Sequence, residues 1–130
     1  MALLGFSILR DALYYGNKRQ TIRKLRKTPI KKGERLHLYY HLRRSDCESL
    51  GSWTCKETFF IRMFSQPHII EIVNLLGEKG LIVRNHAMTE SEALDLAKRD
   101  GFTSTQELFT ALERMHGRQD GSQVFQVIRW

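Results

Sequence analysis

Alternation between apolar and polar positions sets out most of this chain. Residues 2–6 are a short apolar run and read as a first strand. Ile8, Leu9, Ala12 and Leu13 then recur at helical spacing, with Ser7 placed to cap that turn and Gly16 just past its end. Residues 20–24 alternate: Ile22 points to the core, and Thr21 and Arg23 share the opposite, open face. Residues 27–33 form an exposed turn punctuated by Pro29 and Gly33. Residues 35–42 form a strand with Leu36, Leu38, Tyr40 and Leu42 on one face and His37, Tyr39 and His41 on the other. Residues 45–52 are polar and read as a loop or hairpin tip. Residues 53–64, rich in Thr, Phe and Ile, read as one long strand ended by Pro67.

The second half changes period. Residues 69–76 and 81–85 read as strands joined by a turn at 77–80, although the first could also be a helix, since its apolar residues do not alternate strictly. Residues 89–99 form a helix opened by a Thr89/Glu92 capping box and stopped by Asp100 and Gly101. Residues 103–116 form another, with Thr103 and Gln106 as its capping pair and Leu108, Phe109, Leu112 and Met115 on its inner face. Residues 123–130 close as a strand. The sum is an α+β fold of about six strands, an early helix and a late helix pair. Short strands of this kind commonly close into a small barrel, which protects their edges. At 130 residues the chain fits one domain spanning 1–130, with no repeat or linker.

Charge changes this picture. Residues 17–44 hold eleven Lys and Arg against one acid, Glu34, so this block carries +10 and the remainder −3, giving the net +7. A field of one sign attracts polyanions, and on nucleic acid it displaces counterions from phosphates. Arg19, Arg23, Lys24, Arg26, Lys27, Lys31, Lys32 and Arg43 are therefore the candidate phosphate-binding residues. Tyr14, Tyr15, Tyr39 or Trp53 could stack on an unpaired base.

Other chemistry is sparse. If Gly51 centres a hairpin turn, Cys47 and Cys55 face each other, as a disulfide or half a metal site. The preferred reading is two reduced cysteines packed as small apolar residues, with no metal site and no cofactor. Residues 69–76 are too short to span a bilayer, and no basic region precedes the apolar start. The expectation is a cytoplasmic protein without a membrane partner.

Gly16, Lys18, Thr21 and Arg23 complete the pattern Gly-x-Lys-x-x-Thr-x-Arg. A basic turn follows, then Gly-Glu-Arg-Leu-His-Leu-Tyr at 33–39. Later come Ala-Lys-Arg-Asp-Gly-Phe-Thr-Ser at 97–104 and the closing Val-Ile-Arg-Trp at 127–130. Together these resemble the ASCH domain family of the PUA-like superfamily, over nearly the whole chain. The resemblance implies a partly open β-barrel with flanking helices and a cleft lined by the motif. It implies partners among RNA and modified nucleosides. One branch of that family hydrolyses the acetyl amide of acetylcytidine with the motif Lys and Thr and a later Glu; ribonuclease activity is known in another. Lys18 and Thr21 match the first two. Asp100 stands near the place of the third and is shorter by one methylene.

The leading reading is a binding module for RNA or a modified nucleoside. The alternatives are two hydrolases, an acetylcytidine amidohydrolase and a single-strand ribonuclease. In the amidohydrolase, Thr21 is the nucleophile and Lys18 its base, made less basic by the neighbouring Arg19 and Arg23. Asp100 carries the proton, and Arg23 steadies a phosphate or oxyanion. For the ribonuclease, His37 and His41 join Lys18 and Arg23 as candidates by residue type, although on one strand they would stand about 13 Å apart.

Overall fold

The computed structural model describes residues 2–6, 18–76 and 81–130. The expected early helix, Tyr14, Tyr15, Gly16 and the 77–80 turn lie outside the described residues. The described elements are β1 (Ala2–Phe6), β2 (Gln20–Lys24), β3 (Arg35–Tyr40), β4 (Glu48–Thr54), β5 (Glu57–Ser65), β6 (His68–Leu76), β7 (Leu81–Ala87), α1 (Glu90–Arg99), α2 (Thr105–His116) and β8 (Asp120–Arg129). The α+β class holds. The strands form two separate sheets, in the orders β1-β3-β4 and β2-β8-β5-β6-β7, and do not close into one barrel.

Strand β8 explains why the layers stack as they do. Its side chains alternate between two apolar clusters. Phe125 and Val127 pack with Ile22, Ile61 and Met63 against Leu96, Leu108, Phe109 and Leu112 of the helices. Ile128 and the following Trp130 pack with Leu4, Phe6, Leu36 and Leu38 of the three-stranded sheet. A strand buried on both faces needs apolar residues on both parities, which Phe125, Val127, Ile128 and Trp130 supply, and the buried Gln126 among them is hydrogen-bonded to Ile30. The five-stranded sheet thus lies between the helix pair and the smaller sheet.

Five expectations change. Residues 48–52 are not a loop but most of β4, paired antiparallel to β3 with Gly51 opposite Leu38. Gly51 has φ +123, and a Cβ there would lie 2.9 Å from the Trp53 ring, so a glycine that reads as a turn is a bare backbone position covered by an indole. The long strand at 53–64 is broken at Cys55 and Lys56, where the chain changes sheets. The Cys55 amide donates to Glu34 O beside the small sheet (2.9 Å), and the Lys56 amide donates to Arg129 O on β8 (2.8 Å). Cys47 and Cys55 therefore lie at the two ends of β4, not across a hairpin; both are free thiols, Cys47 exposed and Cys55 buried. In α2 the cap is Ser104, whose hydroxyl accepts from the Glu107 amide (3.2 Å), and not Thr103. Met115 is 60% exposed and not part of the inner face.

Helix α1 has the Thr89/Glu92 capping box as expected. Residues 69–76 lie within β6, paired to both β5 and β7, so the helical alternative is not adopted. The basic turn is pinned by Ile30, which is buried. The Gln126 amide donates to Ile30 O (2.6 Å), and its oxygen accepts from the Ile30 amide (3.3 Å). No described helix is long and apolar enough to cross a membrane.

Candidate functional site

Strand β2 is an edge strand of the larger sheet, and it offers different residues on its two faces. Gln20 and Ile22 point toward the helices, where Ile22 joins the core. Thr21 and Arg23 share the other face, toward β1. Thr21 is buried rather than open: only 5% of it is exposed. The Arg23 guanidinium donates from Nε to Thr21 Oγ1 (3.2 Å) and from Nη2 to Gly5 O on β1 (2.6 Å). It also lies over the Phe6 ring, 4.7 Å from the centroid. This one side chain joins the larger sheet to the smaller.

Lys18, just before β2, reaches the end of α1. Its ammonium donates to Asp100 O (2.9 Å) and lies 3.3 Å from Asp100 Oδ2, with both side chains at least nine-tenths buried. Asp100 is the C-cap of α1. Its other oxygen accepts from Gln20 Nε2 (3.2 Å), which also donates to Leu96 O (3.0 Å). Gln20 Oε1 in turn accepts from Arg129 Nε (2.8 Å), and Arg129 pairs with Glu57 (3.1 Å). A polar chain from Glu57 to Lys18 fixes the orientation of the buried carboxylate.

These residues meet in one cleft of about 200 Å³, lined by Gly5, Phe6, Lys18, Thr21, Arg23 and Asp100, with Phe102, Leu112 and His116 from the helical side. Sites for drug-sized ligands run to about 300–1,000 Å³, so this cleft fits a single ring or an acyl group better than an extended molecule. Burial pushes the Lys18 ammonium below its ordinary pKa, Asp100 opposes that shift, and Arg23 adds a smaller push in the same downward direction. Burial, not the neighbouring arginines, is thus the main cause. Burial likewise raises Asp100, against the pull of Lys18 and Gln20. Arg23 falls to about 10, chiefly by burial and then by repulsion from Arg26. His116 is lowered by burial and by Lys24. The cleft is a desolvated cationic site with a hydroxyl, an amine and a carboxyl on its wall.

The remaining sequence candidates divide. Arg26 and Arg43 line an adjoining groove that shares Gly5, Phe6 and Arg23 with the cleft. Arg19, Lys24, Lys27, Lys31 and Lys32 are exposed and line neither. His37 bonds to Ser52 Oγ (2.7 Å) on β4, and His41 to Asp46 (2.7 Å) beyond the end of β3, so neither is in the cleft. Trp53 packs on the small-sheet core and Trp130 is buried in it, edge-on to Phe6. Among the described residues, no group of three or more His, Cys, Asp or Glu is arranged to hold a metal. Sequence reading missed Gln20, Phe6 and His116. Gln20 left a signal: it shares the inward parity of Ile22, and a polar residue on a core face needs a partner.

No protein-family model matches the chain, and no curated protein or solved structure matches it either.

Proposed function

We propose that this is an ASCH-like domain that recognises a nucleoside unit, free or within RNA, in the cleft between β1, β2 and the end of α1. On this reading the two sheets are a PUA-like barrel left open. The observation that carries it is the convergence of Lys18, Thr21, Arg23 and Asp100 on one small, buried cavity. Three of these belong to the motif and one comes from 77 or more residues away in the chain. The cleft has what a base or modified base needs. Phe6 gives the wall an apolar ring, the Thr21 hydroxyl is left to donate because it accepts from Arg23, and Asp100 presents a fixed carboxyl.

Titration with acetylcytidine, cytidine and a short single-stranded RNA tests this. Thr21→Val keeps the shape and removes the hydroxyl. It should weaken nucleoside binding by about tenfold, the effect of one lost hydrogen bond in a buried site. Unchanged affinity in a folded variant, or no binding of any of the three by the wild type, would overturn the reading.

One observation favours hydrolysis as a second reading. The Lys18 amine is held where burial favours its neutral, basic form, beside a carboxyl whose burial favours protonation. Thr21 Oγ1 would attack the acetyl carbon of acetylcytidine, its proton passing to Lys18 and then to the departing cytosine amine. Water would then release acetate from the acyl-threonine, and Arg23 would steady the oxyanion. Acetate release that persists in Thr21→Val would eliminate that residue as the nucleophile.

A further inference from the structure

The groove beside the cleft is built from the edge of β1 and the turn after β3. Its volume is about 400 Å³, and its wall carries four arginines, Arg23, Arg26, Arg43 and Arg44, with His41. Two of them are tethered from below. Arg26 Nη2 donates to Leu3 O (3.3 Å) and Arg23 Nη2 to Gly5 O (2.6 Å), so β1 carbonyls hold these guanidiniums at the groove wall. Asp46 meets this rim, where it pairs with His41 (2.7 Å) and Arg44 (3.5 Å). Burial is the main cause of the lowered Arg23 pKa; repulsion from Arg26 adds to it and Asp100 opposes it. No carboxylate is among the described residues that line the groove, and like charges gathered on one wall are a standing electrostatic cost that an incoming anion lowers.

The backbone adds a second, independent observation. His41 and Arg43 have φ of +52 and +71, and they are the non-glycine residues in the left-handed region among those described. An arginine in that conformation is strained where glycine would not be, and such strain persists where the side chain has a role. Here the strained turn puts His41, Arg43 and Arg44 on the wall of the groove that Arg26 also lines.

We propose that this arginine groove is a phosphate subsite of the neighbouring cleft, so that the ligand is a phosphorylated nucleoside unit, a mononucleotide or an RNA residue with its phosphodiester, and not a free nucleoside. The inference rests on the nucleoside reading of the cleft and adds the group attached to the sugar. The shared wall of Gly5, Phe6 and Arg23 makes the two sites continuous. Guanidinium forks suit phosphate oxygens because two parallel N–H donors match two oxygens.

The test compares acetylcytidine and cytidine with their 5′- and 3′-monophosphates and with a cytidine dinucleotide, by calorimetric titration. Wild-type protein should bind at least one phosphorylated probe about tenfold or more tightly than its nucleoside. The monophosphates and the dinucleotide separate a terminal phosphate from a phosphodiester. Arg26→Gln with Arg43→Gln should remove that advantage and leave nucleoside affinity unchanged. Arg43→Gly, which suits the left-handed backbone, guards against a folding artefact and should lose part of the same advantage. Equal affinity for nucleoside and nucleotide, or equal loss of both in the variants, would overturn the inference while leaving the cleft reading intact. If ribose 5-phosphate binds as tightly as any nucleotide and Thr21→Val changes nothing, the cleft reading fails and the linked subsite with it.

Discussion

Lys18 and Asp100 form a buried ion pair, and such a pair is rarely present for stability alone. Desolvating two charges can exceed their attraction, whereas deleting one partner strands the other. Lys18→Met should therefore destabilise the protein by about 3–5 kcal/mol at neutral pH, measured by denaturant unfolding. Lys18→Met with Asp100→Asn should recover most of that loss, because the asparagine oxygen still accepts from Gln20 Nε2. The sign of the pH dependence follows from Asp100, whose folded pKa burial raises above its ordinary 3.8. A raised carboxyl stabilises the fold while protonated and loses that contribution as pH rises through its folded pKa. The single variant should thus be closest to wild type in acid, and its deficit should grow as pH climbs from about 4. A deficit independent of pH would mean the stranded carboxylate is not the cause. The motif placed Lys18, Thr21 and Arg23 together on local pattern alone. Gln20, 76 residues or more from its partners on α1, could only be suspected from its parity.

Elements were legible where burial imposes a period and obscure where it does not. Strands β1, β2, β3 and β8 and both helices were legible from their apolar residues, whereas β6, whose apolar residues do not alternate strictly, read as strand or helix. Strand β4, with the sequence ESLGSWT, was not legible. Its hydrogen bonds come from β3, and its glycine is covered by a tryptophan two residues away, so tertiary context overrides what reads as a loop. The sheet change at Cys55 and Lys56 was equally hidden, since both halves have strand composition. The start of α2 is a finer case. Thr103 and Ser104 are both capping residue types, but only Ser104 accepts from an amide three residues on. Ser104→Ala should cost about 1 kcal/mol, and Thr103→Ala only a few tenths, read from thermal melts. Equal effects would return the cap to Thr103.

For the molecule as a whole, the +10 block does not act as one site. Arg23, Arg26 and Arg43 sit at the paired cavities, whereas Lys27, Lys31 and Lys32 project from a turn anchored by Ile30 and Gln126. These two groups should be separable. Replacing Lys27, Lys31 and Lys32 with glutamine should weaken a long single-stranded RNA and flatten its salt dependence by about 0.7 in log–log slope per lost phosphate contact. The same variant should bind a mononucleotide unchanged. Loss of both would mean that the turn lysines reach the cavities. Composition revealed that the positive charge was concentrated, but only the folded chain shows that it divides into a set at the cavities, Lys18, Arg23, Arg26, Arg43 and Arg44, and an exposed set away from them that includes Arg19 and the turn lysines.

Arg23 also ties β2 to β1, its guanidinium spanning the seam between the two sheets. An anion that recruits that guanidinium must share it with Gly5 O or take it away. Occupancy would then be felt by the strap itself: full and empty protein would differ in how readily the first strand breathes away from its neighbours, and amide exchange along residues 2–6 would register the guest.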